Sequence, residues 1–150
     1  MEAFIEAWTA RHGARRDGLL PLLHALQEEA GYLDDALVPA IANALNLSRA
    51  DVHGVITFYH DFRRTMPGRH VVKLCRAESC QARGGAEVET QAVRRLGVAM
   101  GETRADGQVT LDPVYCLGLC AIGPNALVDG RPVARIDAAA LERIAAEVAA

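Results

Sequence analysis

The chain has 150 residues, of which 51% are hydrophobic and 23% are charged. This composition is typical of a globular protein and excludes a wholly disordered or collagen-like chain. The formal net charge is −3, with acidic and basic residues spread along both halves, so no strong field would attract nucleic acid or an anionic membrane.

The N-terminal region gives the first expectations about location. The longest apolar stretch, residues 19–26, is far shorter than the ~20 residues that a bilayer span requires. The first 18 residues carry acidic side chains where a secretory signal would have a basic segment. We therefore expect a cytoplasmic protein without a membrane span, in a compartment where disulfides are rare.

Apolar residues in the first half recur at helical spacing. A short leading helix is predicted around residues 4–8, and a second helix over residues 19–30, ended by Gly31. A third helix is predicted over residues 37–45, after a cap at Asp34 or Asp35. Together with a fourth helix, these segments predict an antiparallel helical bundle over residues 1–67.

The fourth helix has its own start signal. Ser48 and Asp51 resemble a capping box, with Asp in the place of Glu or Gln. The apolar stripe runs from Val52 to Phe62 or Arg63, and Phe58, Tyr59 and Phe62 are interpreted as core residues. The turn cluster Met66-Pro67-Gly68 follows, and we expect a domain boundary there.

Residues 68–150 show a different pattern. Strands are predicted over residues 70–74 and 109–114, and a hairpin over residues 126–135 around Asp129-Gly130. A helix over residues 84–96 would turn Ala86, Val93 and Leu96 inward, and a last helix would begin near Ala138. This order predicts a mixed sheet with flanking helices, an α+β or α/β layer fold.

The four cysteines are the most informative residues. They form two close pairs, Cys75 with Cys80 and Cys116 with Cys120, separated by thirty-five residues. Cys75 ends one predicted strand and Cys116 ends a later one, so neighbouring strands would bring both pairs to the same sheet edge. Four converging thiolates suit zinc or an iron–sulfur cluster.

Other interpretations of the cysteines compete with a metal site. Two disulfides are disfavoured by the expected cytoplasmic setting, and unrelated buried cysteines seldom fall into two loop pairs. A thiol-redox enzyme would normally contain C-x-x-C, which this chain lacks. Spacing alone leaves a structural zinc site and an iron–sulfur site equally open.

The residues around the second pair favour the iron–sulfur site. Gly118 permits close backbone approach, and the aliphatic side chains of Leu117, Leu119 and Ile122 would keep water away. Backbone N–H groups of such a loop can donate hydrogen bonds to the cluster sulfurs and raise the reduction potential.

These residues resemble the thioredoxin-like [2Fe–2S] ferredoxin family, which includes the 24 kDa-type subunit of NADH:quinone oxidoreductase and its relatives in NAD-linked hydrogenases and formate dehydrogenases. The spacing C-x4-C, thirty-five residues, C-x3-C is similar to the family's pattern. The segment Tyr115–Cys120 resembles the family's second cysteine loop, and residues 55–59 resemble part of its helical N-terminal region.

The resemblance carries further expectations. It implies a thioredoxin-like sheet with one [2Fe–2S] cluster in residues 68–150, where Cys75 and Cys80 bind one iron and Cys116 and Cys120 bind the other. Residues 75–81 look most like the gamma subunit of cytoplasmic, molybdenum-containing, NAD-dependent formate dehydrogenase. The chain would then catalyse nothing alone. Its partners would be a subunit carrying FMN and the NAD site and a larger subunit with the molybdenum centre.

Charged and aromatic residues near the site add little to this interpretation. Arg76 and Arg83 flank the first cysteine pair, where a positive charge would favour the reduced cluster. We therefore predict that Arg76→Ala lowers the midpoint potential. The five histidines lack ligand spacing and receive no role, and the chain contains no nucleotide-binding glycine motif.

Overall fold

The computed structural model describes residues 1–149, which form two compact units, the first spanning Met1–Met66 and the second beginning at Pro67. Each unit has a hydrophobic core of its own. No helix in the described part of the chain is long and apolar enough to cross a bilayer.

Four α-helices make up the first unit: α1 (Glu2–His12), α2 (Leu19–Ala30), α3 (Val38–Leu45) and α4 (Arg49–Phe58). The predicted end signals act as expected, because Gly31 and Asn46 adopt left-handed conformations directly after α2 and α3. Ser48 and Asp51 form the reciprocal capping box that opens α4. The core of this unit comes from all four helices and includes Ile5, Trp8, Leu22, Leu23, Leu26, Ile41, Leu45, Val52 and Ile56.

The end of α4 differs from the prediction. The helix stops at Phe58 because Tyr59 takes an extended conformation, so the helical stripe does not continue to Phe62 or Arg63. Phe62 is buried all the same, but Phe58 is 72% exposed and Tyr59 is 43% exposed. The core assignment was therefore right for Phe62 and wrong for Phe58 and Tyr59, whose rings stack edge-on against each other at the surface.

The second unit is built on a five-stranded sheet with the order β2-β3-β1-β4-β5. Its strands are β1 (His70–Cys75), β2 (Glu102–Thr103), β3 (Val109–Val114), β4 (Ala126–Val128) and β5 (Arg131–Val133). Strands β1 and β3 are parallel, and every other pair is antiparallel. The mixed sheet agrees with the predicted layer fold, and the two-residue strand β2 was not predicted.

The pairing of β1 with β3 positions both cysteine loops. In the parallel register His70 lies opposite Val109, and Cys75 lies opposite Val114. Since parallel strands end at the same edge of a sheet, the chain leaves β1 and β3 side by side. Gly68 sets the other end of this pairing, because a Cβ at this position would lie 2.8 Å from the backbone of Val109.

Three helices accompany the sheet: α5 (Glu78–Ala82), α6 (Gly85–Leu96) and α7 (Ala138–Glu147). Helices α6 and α7 contact each other, and their buried faces share one core with the sheet. Leu96 is buried and Val93 is half-buried as predicted, but Ala86 is exposed and Ala92 takes the inward position. The predicted helix therefore forms with Gly84 as its N-cap, and its inward face is rotated away from Ala86.

The hairpin between β4 and β5 closes through Asp129 and Gly130, both with positive φ, as the Asp-Gly signal predicts. The Asp129 carboxylate accepts hydrogen bonds at 2.8 Å from the Val71 amide and pairs at 2.8 Å with His70 Nδ1. These bonds hold the pKa of Asp129 below its ordinary value: burial raises it, and the contacts with His70 and Val71 outweigh that effect. The turn is thereby fixed to the first strand of the sheet.

Candidate metal centre

The four cysteines lie around one edge of the sheet. Cys75 is the last residue of β1 and Cys80 lies in α5, the short helix that follows. Cys116 comes two residues after β3, and Cys120 begins a 3-10 turn over Cys120–Ile122. None of the four is in a disulfide.

Both cysteines of the first cysteine segment, residues 75–80, are buried. Cys75 is 5% exposed and Cys80 is 1% exposed. The Cys75 amide donates to the carbonyl oxygen of Asn125 at 2.9 Å, and the Arg76 amide donates to that of Val114 at 2.8 Å. Backbone bonds to both neighbouring strands therefore hold the start of this segment.

A glycine allows α6 to begin beside this segment. A Cβ at Gly85 would lie 2.7 Å from the carbonyl oxygen of Cys80 and 2.9 Å from its carbonyl carbon. Backbone atoms cannot move aside as a flexible side chain can, so only glycine fits here without displacing Cys80. The sequence signal for this requirement is the Gly84-Gly85 pair at the predicted helix start.

The second cysteine segment, residues 116–120, is more exposed. The Sγ atoms of Cys116 and Cys120 lie 3.7 Å apart, much farther than the ~2.05 Å of a disulfide. Two thiolates bound to one tetrahedral metal ion at about 2.3 Å would lie about 3.8 Å apart. Cys116 and Gly118 both have positive φ, which folds the loop so that the two thiols face each other.

Backbone donors surround the sulfur of Cys75. The N–H groups of Ala77, Cys116 and Leu117 point at it, and the Cys80 thiol also bonds to it. Burial alone would raise the pKa of Cys75, but these donors outweigh burial and lower the pKa below its ordinary value. A sulfur in this position is stabilised as a thiolate, the form that binds metal.

The other affected thiols shift in the opposite direction. Burial and the hydrogen bond with Cys75 raise the pKa of Cys80, and the hydrogen bond and charge of Cys116 raise the pKa of Cys120. Repulsion between neighbouring thiolates adds to both shifts, because several negative charges close together disfavour one another. A bound cation would remove that repulsion.

Two side chains connect the segments. Ser79 Oγ donates to the carbonyl oxygen of Cys120 at 3.3 Å, and Asn125 Nδ2 donates to that of Leu119 at 2.7 Å. Gly123 brings the chain close to the first segment, since a Cβ there would lie 3.2 Å from Cys80 Sγ. Sequence reasoning missed Ser79 and Asn125, because their role arises from contacts between distant parts of the chain.

The thiols are arranged as two plus two. The Sγ atoms of Cys116 and Cys120 are in direct contact at 3.7 Å, and Cys75 and Cys80 shift each other's pKa, whereas Cys120 affects the first pair through its charge. Within residues 1–149, no three or more His, Cys, Asp or Glu side chains are gathered around a single metal position. The donor set fits two metal ions, each held by one pair.

The flanking arginines differ from each other. Arg76 Nε forms an ion pair with Glu89 at 3.0 Å, so its charge is largely compensated. The side chain of Arg83 passes close to Gly123, where its Cδ would be 3.4 Å from an added Cβ. The sequence pattern located both arginines near the first cysteine pair but did not reveal the partner of Arg76.

Comparison with known proteins gives a family match over almost the whole chain. The description "Thioredoxin-like [2Fe-2S] ferredoxin" matches residues 5–149, which confirms the predicted thioredoxin-like, mixed α/β fold. The E subunit of NADH-quinone oxidoreductase from Pseudomonas aeruginosa is 36% identical over 114 residues, covering 76% of this chain and 69% of that protein. The corresponding E 2 subunit from Rhizobium meliloti is 35% identical over 144 residues, covering 96% and 86%.

A solved structure shows a similar architecture. The crystal structure of an NAD+-reducing [NiFe]-hydrogenase in the air-oxidized state superposes with a TM-score of 0.75 at 26% identity. The match covers 88% of this chain and 23% of the hydrogenase chain. This chain thus corresponds to less than a quarter of that larger polypeptide.

Proposed function

The chain belongs to the thioredoxin-like [2Fe–2S] ferredoxin family, and from that premise we propose that it is a one-electron-transfer subunit of an NAD-linked oxidoreductase complex. The observation that carries the proposal is the meeting of two cysteine pairs at the carboxyl ends of the parallel strands β1 and β3. A site of this kind requires no general base, and the chain serves as the electron carrier of a larger enzyme.

The proposed ligands are the four cysteines. Cys75 and Cys80 would hold one iron, and Cys116 and Cys120 the other. Support comes from the 3.7 Å separation of the second pair and from the burial of both thiols of the first pair at the end of β1. When bound, a [2Fe–2S] cluster supplies a centre that accepts and releases one electron.

The protein contributes orientation, dryness and hydrogen-bond donors. The N–H groups of Ala77, Cys116 and Leu117 converge on the Cys75 sulfur, and donors of this kind favour added negative charge. Half-buried Leu117 and Leu119 limit the access of water to the second segment. These groups are fixed before any electron arrives, so the site needs little reorganisation.

The exposed side of the site is suited to a protein partner. Residues 113–128 contain no charged side chain, and Tyr115, next to Cys116, is 68% exposed. Exposed aromatic residues on an uncharged surface are typical of the centres of protein interfaces. We assign this surface to contact with the subunit that carries FMN and the NAD site.

The finer proposal is that the complex is a cytoplasmic, NAD-dependent formate dehydrogenase with molybdenum in a larger subunit. Its support is the resemblance of residues 75–81 described above. The alternatives are the equivalent subunit of NADH:quinone oxidoreductase or of an NAD-reducing hydrogenase, and the relatives named above come from complexes of those two kinds. In all three complexes the cluster domain would be residues 68–150 and the helical bundle residues 1–67.

The ligand assignment is tested with four single variants, Cys75→Ser, Cys80→Ser, Cys116→Ser and Cys120→Ser. Iron per chain and visible absorption are measured after anaerobic purification. We expect each variant to lose or strongly alter the absorption bands, whereas the control Thr90→Ala, which removes only a side-chain bond to the backbone of Ala86, keeps them. A variant with the wild-type spectrum and iron content would remove its cysteine from the ligand set, and zinc in place of iron would support a structural zinc module held by four cysteines.

The identity of the complex is tested by purifying it through a tag on this chain in the native organism. Metal analysis and NAD reduction with formate, and with hydrogen, are measured on the same preparation. Molybdenum and formate-dependent NAD reduction would support the formate dehydrogenase. Nickel and hydrogen-dependent reduction, or membrane subunits with quinone reduction, would replace it with one of the two alternatives.

A further inference from the structure

Asn125 is a polar residue in an apolar setting. It follows Gly123-Pro124 and directly precedes β4, and it is only 3% exposed. Within residues 1–149 it is one of two buried polar or charged residues, the other being Thr110. Buried amides are normally retained where they have hydrogen-bond partners, so the contacts of Asn125 indicate what it does.

One Asn125 side chain reaches both cysteine segments. Its Nδ2 donates to the carbonyl oxygen of Leu119 at 2.7 Å and lies 3.7 Å from Cys80 Sγ, within hydrogen-bond reach of a sulfur. Its own carbonyl oxygen accepts the Cys75 amide at 2.9 Å. The same residue therefore contacts Cys75 through the backbone, Cys80 through the side chain and the second segment through Leu119.

The orientation of the amide follows from these partners. The carbonyl oxygen of Leu119 and a deprotonated Cys80 sulfur are both acceptors, so the NH2 group must face them. The amide oxygen Oδ1 is left buried and has no partner among the described residues. An unpaired buried acceptor lowers the stability of the folded protein. The favourable contribution of Asn125 therefore comes from the hydrogen-bond contacts of Nδ2.

We propose that Asn125 is a positioning residue that raises the reduction potential of the cluster by donating its Nδ2–H to the Cys80 sulfur, an inference that rests on the proposed function. A donor aimed at a ligand sulfur stabilises negative charge, and the charge on the sulfurs increases when the site gains an electron. Cys80 is otherwise buried beside Gly123, so water cannot replace this donor.

The test is a redox titration of the anaerobically purified, cluster-loaded protein, followed by EPR. Dithionite supplies the electron. Asn125→Leu removes both side-chain bonds while keeping the number of side-chain heavy atoms, and Asn125→Asp keeps the shape while removing the N–H donor and adding a negative charge. Thr90→Ala is the matched control, because it removes a side-chain bond to a backbone carbonyl, that of Ala86, without removing a donor to a sulfur.

We expect Asn125→Leu and Asn125→Asp to keep their iron but to titrate at a more negative midpoint potential, with a shift larger than that of Thr90→Ala. Equal shifts in all three variants, or an unchanged potential in an iron-loaded Asn125 variant, would overturn the inference. If Asn125→Leu does not fold, Asn125→Ala decides, because it removes the donor without adding a charge beside the sulfur. A wild-type protein without a cluster would instead contradict the proposed function.

Discussion

The two cysteine segments reach the same sheet edge by different physical means. Residues 75–80 are held by packing: both thiols are buried, a short helix follows, and Gly85 lets the backbone of α6 begin beside Cys80. Residues 116–120 are held by backbone conformation, with positive φ at Cys116 and Gly118. Their surface is exposed and uncharged.

This difference suggests a division of roles. A buried segment fixes the position of a bound group and keeps it dry, whereas an exposed segment allows close approach by a redox partner. Electron transfer between proteins needs both properties, since the site must be rigid and must also lie near the surface. The effect of a substitution in one segment can therefore be compared with the behaviour of the unchanged segment in the same protein.

The largest effect is expected from Gly85→Ala. The new Cβ would press on the Cys80 backbone, so we expect a loss of about 1–3 kcal/mol in the free energy of unfolding and a lower iron content. The control is Gly54→Ala within α4, where no atom lies within 4 Å of the added Cβ. That substitution should leave stability unchanged or raise it by up to about 1 kcal/mol.

Denaturant unfolding of both variants checks this prediction. If Gly85→Ala is as stable and as rich in iron as the wild type, the first segment is not fixed by the packing described.

Removal of iron should expose a difference in thiol reactivity. In chelator-treated protein we expect an alkylating reagent to modify Cys116 roughly tenfold or more faster than Cys80. Cys116 is exposed, whereas Cys80 is buried and burial raises its pKa. Peptide mapping after timed labelling measures both rates, and equal rates would show that the two segments do not differ in the iron-free protein.

Tyr115→Ala should weaken binding of the partner subunit by about 1–2 kcal/mol, close to tenfold in affinity, while the cluster spectrum stays the same. The matched control Tyr115→Phe keeps the ring and should bind within about twofold of the wild type. Affinity is measured between the separately purified, cluster-loaded chain and the flavin subunit. Full affinity in Tyr115→Ala would place the interface elsewhere.

The smallest effect is expected from Arg76→Ala. The predicted fall in midpoint potential remains, but the ion pair with Glu89 compensates much of the charge. Glu89→Gln leaves Arg76 unpaired and should shift the potential upward. Redox titrations of both variants decide the point: a large fall in Arg76→Ala with no shift in Glu89→Gln would show that the pairing does not operate in solution.

Local signals predicted much of the fold. Periodicity placed α2 and α3, and the capping box at Ser48 placed the start of α4, because these features depend on residues a few positions apart. The end of α4 was missed, since Phe62 is buried after the chain has already left the helix. An apolar side chain at helical spacing indicates that the side chain is buried. The backbone can place that side chain in the core without continuing the helix.

The part of the site that depends on the spacing of the cysteines along the chain was predictable from the sequence. Paired cysteines after two strands indicated a common edge, and the parallel pairing of β1 with β3 places them there. Asn125 could not be found in this way, because its contacts with Cys80 and Leu119 exist only after β4 has paired with β1. Contacts between distant segments can be predicted only when the strand register of the whole sheet is known.

The most direct test of the central claim is the EPR spectrum of the anaerobically purified protein before and after dithionite, with iron and zinc counted on the same sample. A [2Fe–2S] electron carrier predicts a silent oxidised sample, a rhombic signal after reduction and about two irons per chain. A sample that stays silent, holds zinc after attempted iron reconstitution and shows no visible bands would contradict it.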